Sequence, residues 1–365
     1  MEETQDQQER QINYSARCPS QSNRFTQESF MSARITSAAI AISAIALAVP
    51  ASVPAFAGDL KIAHSLPSGA PRDQGAHIIA NMVNKDDRCD LDAKVFPGSQ
   101  LGSTEIVVET MQLGGIEMTI QPASFLVGFE PLIGIMDFPF FWPDTREDLA
   151  KVHKSDAMRA LLDSTDKQNI HTLMVWHTGY KTWTGNKPLL TMEDYKGQKA
   201  RAMPSAILIE QDKQLGMTPV GMPFSETYTA LQTKAIDAQE NPIVTSFFMK
   251  FHEVQDYMTL SNHGTLDQLI MVSKTWWDGL SAECHAAITE AAVAGGKVTE
   301  DKTYAIIEKA NAAFAKSGMK VVEMSPAQTT LLRDAILPGV EAFYIDKNGA
   351  EGEKILAGFK QYLGM

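Results

Sequence analysis

Short runs of alternating apolar and polar residues are separated by longer runs in which apolar residues recur every three or four positions. In the first half of the chain this pattern predicts strands at 59–65, 91–97 and 116–120, with helices at 71–85 and 103–115 between them. A strand that is regularly followed by a helix is typical of an α/β protein with mostly parallel sheets.

The same alternation continues after residue 170. The predicted elements are strands at 171–177, 180–185, 198–203 and 236–240 and helices at 204–216 and 224–235. Pro242 is expected to end the last of these strands, because proline donates no hydrogen bond to a sheet. A helical pattern from Ser281 to about Lys316 predicts a helix roughly 50 Å long, enough to brace two lobes.

The first 57 residues do not fit this pattern. Residues 1–30 are polar and lack apolar periodicity, whereas Met31 to Arg34 begin a basic and then apolar run that closes with prolines and an Ala-Phe-Ala triplet. These features predict a secretory signal peptide at 31–57, cleaved after Ala57, and make the upstream residues a non-native extension. The alternative is an N-terminal membrane anchor, which the short apolar run and its prolines disfavour.

Composition and charge limit the classes of partner. The chain has 365 residues, 44% of them hydrophobic, which is typical of a globular protein large enough for two lobes. Without the first 57 residues, 28 Lys and Arg and 39 Asp and Glu remain, a net charge of −11. This acidity argues against nucleic acid or an anionic membrane surface as partner. Cys89 and Cys284 could pair in an oxidising compartment, but the sequence does not show whether they meet.

The familiar enzyme motifs are absent from the sequence. It contains no P-loop, no C-x-x-C, no H-E-x-x-H, no G-x-G-x-x-G and no G-x-S-x-G. His171 and His177 fall on one face of a predicted strand, but no third ligand is spaced to join them, so packed or surface histidines are favoured over a metal pair. We therefore expect no catalytic residues, no cofactor and no metal.

Two basic residues remain as candidates for binding an anion. Arg201 lies in the middle of a predicted strand, so its side chain points either to solvent or into a cleft between lobes. A guanidinium can hold a carboxylate through two parallel hydrogen bonds. Lys181 would add a second positive charge. For each residue the alternative is a surface or structural ion pair.

Four segments carry a family resemblance: VFPGSQLG (95–102), YKGQKARAMPS (195–205), MPFSETYTALQTKAIDAQENP (222–242) and SNHG (261–264). Together they resemble the substrate-binding proteins of TRAP (tripartite ATP-independent periplasmic) transporters, in particular the DctP-type dicarboxylate receptors. The likeness runs from about Leu60 to Met365. It implies a periplasmic binding protein fold with two α/β lobes, crossing strands and a long bracing helix. The lobes are expected at 58–176 plus 267–306 and at 177–266 plus 307–365.

The resemblance also implies roles for individual residues. Arg201 would hold the ligand carboxylate, Asn241 would hydrogen-bond the same group, and Phe224 would pack against the ligand. His64, Lys181 and Trp183 complete the expected ligand site.

The implied function is capture of an organic acid and its delivery to the membrane subunits of a TRAP permease. The stretch 176–189 looks most like the type that binds four-carbon dicarboxylates such as malate, succinate or fumarate. Pro122 stands where sialic-acid receptors present an acidic residue, which counts against an amino sugar. Another carboxylate ligand, a sensor that serves a membrane kinase and a secreted hydrolase remain as alternatives; the hydrolase lacks a visible nucleophile and base.

The N-terminal pattern predicts that translation starts at Met31 and that the exported protein begins at Gly58. The intact mass of the protein secreted by its native host measures this directly. An exported chain that still carries residues 1–30 would contradict the prediction.

Overall fold

A computed structural model describes residues 58–365. The predicted upstream extension (1–30) and signal peptide (31–57) lie outside these residues. The strands are β1 (Gly58–Ala63), β2 (Leu91–Phe96), β3 (Met118–Pro122), β4 (Ile170–Trp176), β5 (Lys181–Gly185), β6 (Lys199–Ala202), β7 (Thr218–Gly221), β8 (Ala238–Pro242), β9 (Tyr257–Leu260), β10 (Gln268–Ser273) and β11 (Lys320–Glu323). Each strand predicted from the sequence is present to within a few residues.

Twelve α-helices are found in this part of the chain. They are α1 (Pro71–Val83), α2 (Thr104–Gln112), α3 (Arg146–His153), α4 (Asp156–Asp163), α5 (Met192–Tyr195), α6 (Ala206–Gln214), α7 (Thr227–Gln232), α8 (Ile243–Phe248), α9 (Lys274–Trp277), α10 (Ala282–Ala305), α11 (Ile307–Ser317) and α12 (Pro326–Leu363). Serine side chains cap the starts of several of them, including Ser103 before α2, Ser205 before α6 and Ser281 before α10.

The strands form two sheets, one in each lobe. The first sheet has the order β2-β1-β3-β10-β4, and the second has the order β11-β9-β5-β8-β6-β7. In the first sheet β10 alone runs antiparallel to its neighbours, and in the second sheet β5 alone does so. The prediction of two α/β lobes with mostly parallel sheets is confirmed.

The strands at the centre of the first sheet are buried along their whole length. Every residue of β3 and β10 is inaccessible to solvent, as expected where helices cover both faces of a sheet. Helices α1 and α10 cover one face through Ile79 and Ile288, and the Trp176 indole at the end of β4 donates a hydrogen bond to the Ala292 carbonyl of α10. This packing joins the N-terminal and C-terminal parts of the first lobe in one core.

Two extended segments carry the chain between the lobes. Residues 177–180 lead from β4 to β5, and residues 261–267 lead from β9 back to β10. The segments meet where Tyr180 and Thr265 form an antiparallel bridge. Gly179 has a φ of +112° there, and a β-carbon on it would lie 3.1 Å from Pro242, so a larger residue would strain the crossing.

The long helix predicted from Ser281 to Lys316 is interrupted once, at Ile306, which separates α10 from α11. Helix α10 packs against α1 in the first lobe, whereas α11 packs against α8 in the second lobe. The two helices therefore form a third connection between the lobes, as the pattern predicted.

The C-terminal helix α12 was not predicted. It is bent at Gly349, whose φ and ψ are 57° and −145°. Its first part packs with Leu332 and Ile336 into the core of the second lobe, and the Tyr344 hydroxyl donates to the Leu132 carbonyl. The expected lobe boundaries remain a prediction, and this helix contacts residues on both sides of them.

A buried hydrogen-bonded cluster joins the three connections. Asp267 on the returning segment accepts hydrogen bonds from His153 at 2.9 Å and from His177 at 2.8 Å. The second ring nitrogen of His177 lies 2.8 Å from the hydroxyl of Tyr304, two residues before the α10–α11 break at Ile306.

None of the helices in residues 58–365 combines the length and the apolar character that a membrane span requires.

Cys89 and Cys284 form a disulfide bond. This decides the question that the sequence left open. The bond joins the segment before β2 to the first turn of α10, and ion pairs from Arg88 to Asp86 and Glu290 lie beside it. All of these residues belong to the first lobe, so the bond restrains the lobe itself.

Replacing both cysteines (Cys89→Ser with Cys284→Ser) should lower the free energy of unfolding by about 2–5 kcal/mol, because the unfolded chain loses a crosslink between residues far apart in sequence. Urea unfolding measures the loss. Reductant should destabilise the wild-type protein in the same way and leave the double variant unchanged. An unaltered unfolding curve for reduced wild-type protein would contradict the prediction.

Candidate ligand-binding site

Arg201 projects from β6, which lies between β7 and β8 in the second sheet. Its side chain is 1% exposed, and no carboxylate oxygen of residues 58–365 lies within 4.0 Å of its guanidinium. The guanidinium donates to the Met222 carbonyl at 3.4 Å, and its Nε has no partner among these residues. Burial lowers the pKa of Arg201 to about 10, and the more distant Glu105 and Glu240 offset this only in part.

Asn241 lies on β8, the strand next to Arg201. Its buried amide donates a hydrogen bond to the side-chain oxygen of Gln239. The strand ends at Pro242, as predicted, although β8 runs two residues beyond the predicted end at 240, and helix α8 begins at Ile243. Proline suits the residue before a helix, since the first turn needs no donor from it. The sharp strand-to-helix change holds Asn241 at the inner end of the strand.

A narrow cavity of about 10 Å³ lies where the lobes meet, next to these two residues. From the second lobe it is lined by Arg201, Met203, Phe224, Asn241 and Thr245. From the first lobe and the returning segment it is lined by Ser65, Leu66, Arg72, Pro122, Phe125 and Leu266. Both lobes thus contribute one arginine and several apolar side chains.

Three of the six expected site residues line this cavity: Arg201, Asn241 and Phe224. The ring of Phe224 lies 5.5 Å from the Arg201 guanidinium, close enough for a cation–π contact. Their roles in binding stay predictions, and the structure brings the three side chains together.

Arg72 was missed by the sequence analysis. It is the second residue of α1, and its side chain is 2% exposed. Its guanidinium donates to the Ser65 hydroxyl at 3.2 Å, and burial lowers its pKa to about 9. The pattern Pro-Arg-Asp looks like an ordinary helix start, and only the position of α1 against the cavity distinguishes this arginine.

Lys181 does not line the cavity, contrary to expectation. Its side chain is 1% exposed, and its Nζ lies 3.1 Å from Glu240 and 3.8 Å from Asp137. Glu240 also meets His263 at 2.6 Å and Gln211 at 3.0 Å. Burial alone would raise the pKa of Glu240, but the Lys181 charge and these hydrogen bonds hold it well below its usual range. The structure thus places Lys181 in a buried ion-pair network outside the cavity lining, and its expected role in binding the ligand stays a prediction.

Trp183 and His64 also lie outside the cavity lining. Trp183 stacks on His263 with ring centres 5.3 Å apart and belongs to the core of the second lobe. His64 precedes Ser65 and lies 3.2 Å from the carboxylate of Asp73. Burial lowers the pKa of His64. It contacts the residue after Arg72, so its connection to the site is indirect.

The histidines that were considered as a metal pair have other partners. His171 lies 2.8 Å from Asp166 and stacks on Trp277, while His177 belongs to the cluster around Asp267. Within the described part of the chain, no group of three or more histidine, cysteine or acidic side chains is arranged to hold a metal ion.

The model of bacterial extracellular solute-binding proteins, family 7, matches residues 62–347. This chain belongs to that family. The C4-dicarboxylate-binding periplasmic protein DctP of Rhodobacter capsulatus is 33% identical to this family 7 protein over 330 residues, which cover 87% of this chain and 96% of the relative. Like its relatives, this solute-binding protein is a transport component rather than a member of an enzyme family.

Solved structures support the assignment. A TRAP periplasmic solute-binding protein of Desulfovibrio salexigens with bound orotic acid is 33% identical, with a TM-score of 0.80, covering 83% of this chain and 97% of its own. A second, from Shewanella oneidensis with bound succinate, is 28% identical with a TM-score of 0.76, covering 82% and 98% of the two chains. The prediction of a TRAP substrate-binding protein is thereby confirmed.

Replacing Lys181 by methionine should lower the free energy of unfolding by about 3–5 kcal/mol, because Glu240 would be left as a buried charge without its cation. Urea unfolding without ligand measures this. Lys196→Met is the matched control, since the exposed Lys196 lies 3.8 Å from Glu193 and its loss should change stability little. Equal, small effects of both substitutions would show that the Lys181 ion pair contributes nothing.

Proposed function

We propose that this protein is a periplasmic receptor that captures a four-carbon dicarboxylate such as malate, succinate or fumarate and delivers it to a TRAP membrane permease. One observation carries the proposal: the guanidinium of Arg201 is buried in the cavity between the lobes with no carboxylate within 4.0 Å among residues 58–365, beside the Asn241 amide. A buried charge of this kind is stabilised by an anion with well-placed hydrogen bonds. A ligand carboxylate supplies both the negative charge and the hydrogen-bond acceptors.

The chemistry of capture follows from the two-sided lining. The cavity of about 10 Å³ has roughly the free volume that one water molecule needs. A four-carbon acid is larger, so the lobes must move apart to admit it. The ligand then contacts both lobes only when they close again, and its binding free energy favours the closed arrangement.

The choice of ligand rests on relatives. Proteins named for binding C4-dicarboxylates in Rhodobacter capsulatus, Vibrio cholerae and Shewanella loihica are 33%, 35% and 30% identical to this chain. Other relatives are named for 2,3-diketo-L-gulonate, sialic acid and ectoine. The orotic acid bound by the Desulfovibrio salexigens protein, together with Phe125 and Phe224 in the cavity lining, supports an aromatic acid as second candidate.

The predicted signal peptide supports secretion to the periplasm, where a receptor meets both its ligand and the membrane subunits. Release of the ligand to the permease needs no chemical step, and we propose no catalytic residue.

Arg201→Ala should weaken binding of the organic acid on the order of 30-fold to several-thousand-fold, because the ligand carboxylate would be buried without its cation. Arg201→Lys should also bind poorly, since it keeps the charge and loses the paired donors. Asn241→Ala should lose less affinity for the organic acid, because only a neutral hydrogen-bond donor is removed. Calorimetry with succinate, malate, fumarate, lactate and orotate measures the affinities.

The control is the free energy of unfolding of ligand-free Arg201→Ala, which should not fall, because no carboxylate within 4.0 Å loses a partner. Unchanged affinity together with much lower stability would make Arg201 structural and overturn the proposed site. Tight binding of lactate or orotate without binding of any four-carbon diacid would refute the assignment of a dicarboxylate ligand. The proposal that the protein is a receptor for an organic acid would still stand.

A further inference from the structure

Arg72 is a second buried cation that has no carboxylate oxygen within 4.0 Å in the part of the chain that the structure describes. Its guanidinium contacts neutral groups only, the Ser65 hydroxyl at 3.2 Å and the Ile120 carbonyl at 3.5 Å, and its Nε has no partner among residues 58–365. Burial is the one cause that lowers its pKa. The carboxylates of Glu105 and Glu240 partly offset the lowering of the Arg201 pKa, whereas no acid among residues 58–365 offsets the lowering of the Arg72 pKa.

The adjacent acid does not neutralise Arg72. The carboxylate of Asp73 accepts a hydrogen bond from the Gly69 amide at 2.7 Å and lies 3.2 Å from His64 and 3.6 Å from His77. No oxygen of Asp73 is within 4.0 Å of the Arg72 guanidinium. The fold therefore turns Asp73 away from its neighbour in the sequence and leaves the charge of Arg72 facing the cavity.

The two arginines approach the cavity from opposite lobes. Arg72 comes from α1 in the first lobe, and Arg201 comes from β6 in the second. Pro122, Phe125, Met203 and Leu266 supply apolar lining of the same cavity. A cavity lined by two cations and by apolar side chains matches a ligand that has an anionic group at each end of a short hydrocarbon chain.

We propose that Arg72 binds the second carboxylate of the ligand and so makes the receptor select dianions over monoanions. The inference rests on the proposed function, in which Arg201 binds the first carboxylate. A monoanion bound to Arg201 leaves Arg72 buried without an anion when the lobes close, which is unfavourable. A dianion compensates both charges, so the charge of the ligand decides whether closure is stable. Arg72 thus supplies the second positive charge that was expected from Lys181.

The test compares succinate with succinamate, which has a similar shape but carries one carboxylate and one neutral amide. Calorimetry should show that the wild-type protein binds succinate at least about tenfold more tightly. Arg72→Gln should weaken succinate binding roughly 30-fold or more and change succinamate binding less than about threefold. Arg72→Lys keeps the charge and should retain part of the preference. Arg333→Gln is the matched control, because Arg333 pairs with Asp334 at the surface and should alter neither affinity.

Circular dichroism melting of each variant establishes that it is folded. If folded Arg72→Gln weakens succinate and succinamate equally, or changes neither, the assignment of Arg72 is overturned while the receptor function stands. If the wild-type protein binds no organic acid at all, the proposed function itself is overturned. A loss confined to succinate supports the assignment, because a purely structural effect would act on both ligands.

Discussion

Two buried positive charges that have no carboxylate oxygen within 4.0 Å among residues 58–365 are the constraint on which this molecule depends. Arg72 and Arg201 are almost fully inaccessible, and burial depresses the pKa of both. Desolvation of an ion is among the largest unfavourable terms in a protein interior. The remaining architecture, with two sheets, crossing segments and a bracing pair of helices, places these two groups on the lining of one cavity.

Lys181 shows how the same protein treats a cation that serves the fold. Its ammonium lies between Glu240 and Asp137, and Glu240 is further hydrogen-bonded to His263 and Gln211. Every charge in that network has a partner supplied by the chain. Among residues 58–365, the paired Lys181 contrasts with Arg72 and Arg201, which are similarly buried and have no carboxylate oxygen within 4.0 Å. Burial alone does not make this distinction, because it is the same for all three.

The local pattern of apolar and polar residues predicted the strands and most of the helices, whereas contacts between residues distant in sequence were harder to predict. Arg201, Asn241 and Phe224 were found because they lie in segments that resemble a known family. Lys181 and Trp183 were misplaced because strand alternation shows which side chains share a face and does not show that Glu240 and His263 lie opposite them. Arg72 was missed because its importance arises from Ser65, Ile120 and the second lobe, all distant in sequence. No element was predicted for residues 326–363, where Pro338 and the non-helical Gly349 interrupt the pattern of a regular helix.

The cluster around Asp267 has a mechanical consequence. Three separate connections between the lobes, namely the outgoing segment with His177, the returning segment with Asp267 and the helix end with Tyr304, are tied together within hydrogen-bond distance. Segments of chain that are hydrogen-bonded to one another at one place cannot bend independently without breaking those bonds. Any movement of one lobe against the other must therefore shift His177, Asp267 and Tyr304 together or break the hydrogen bonds that join them.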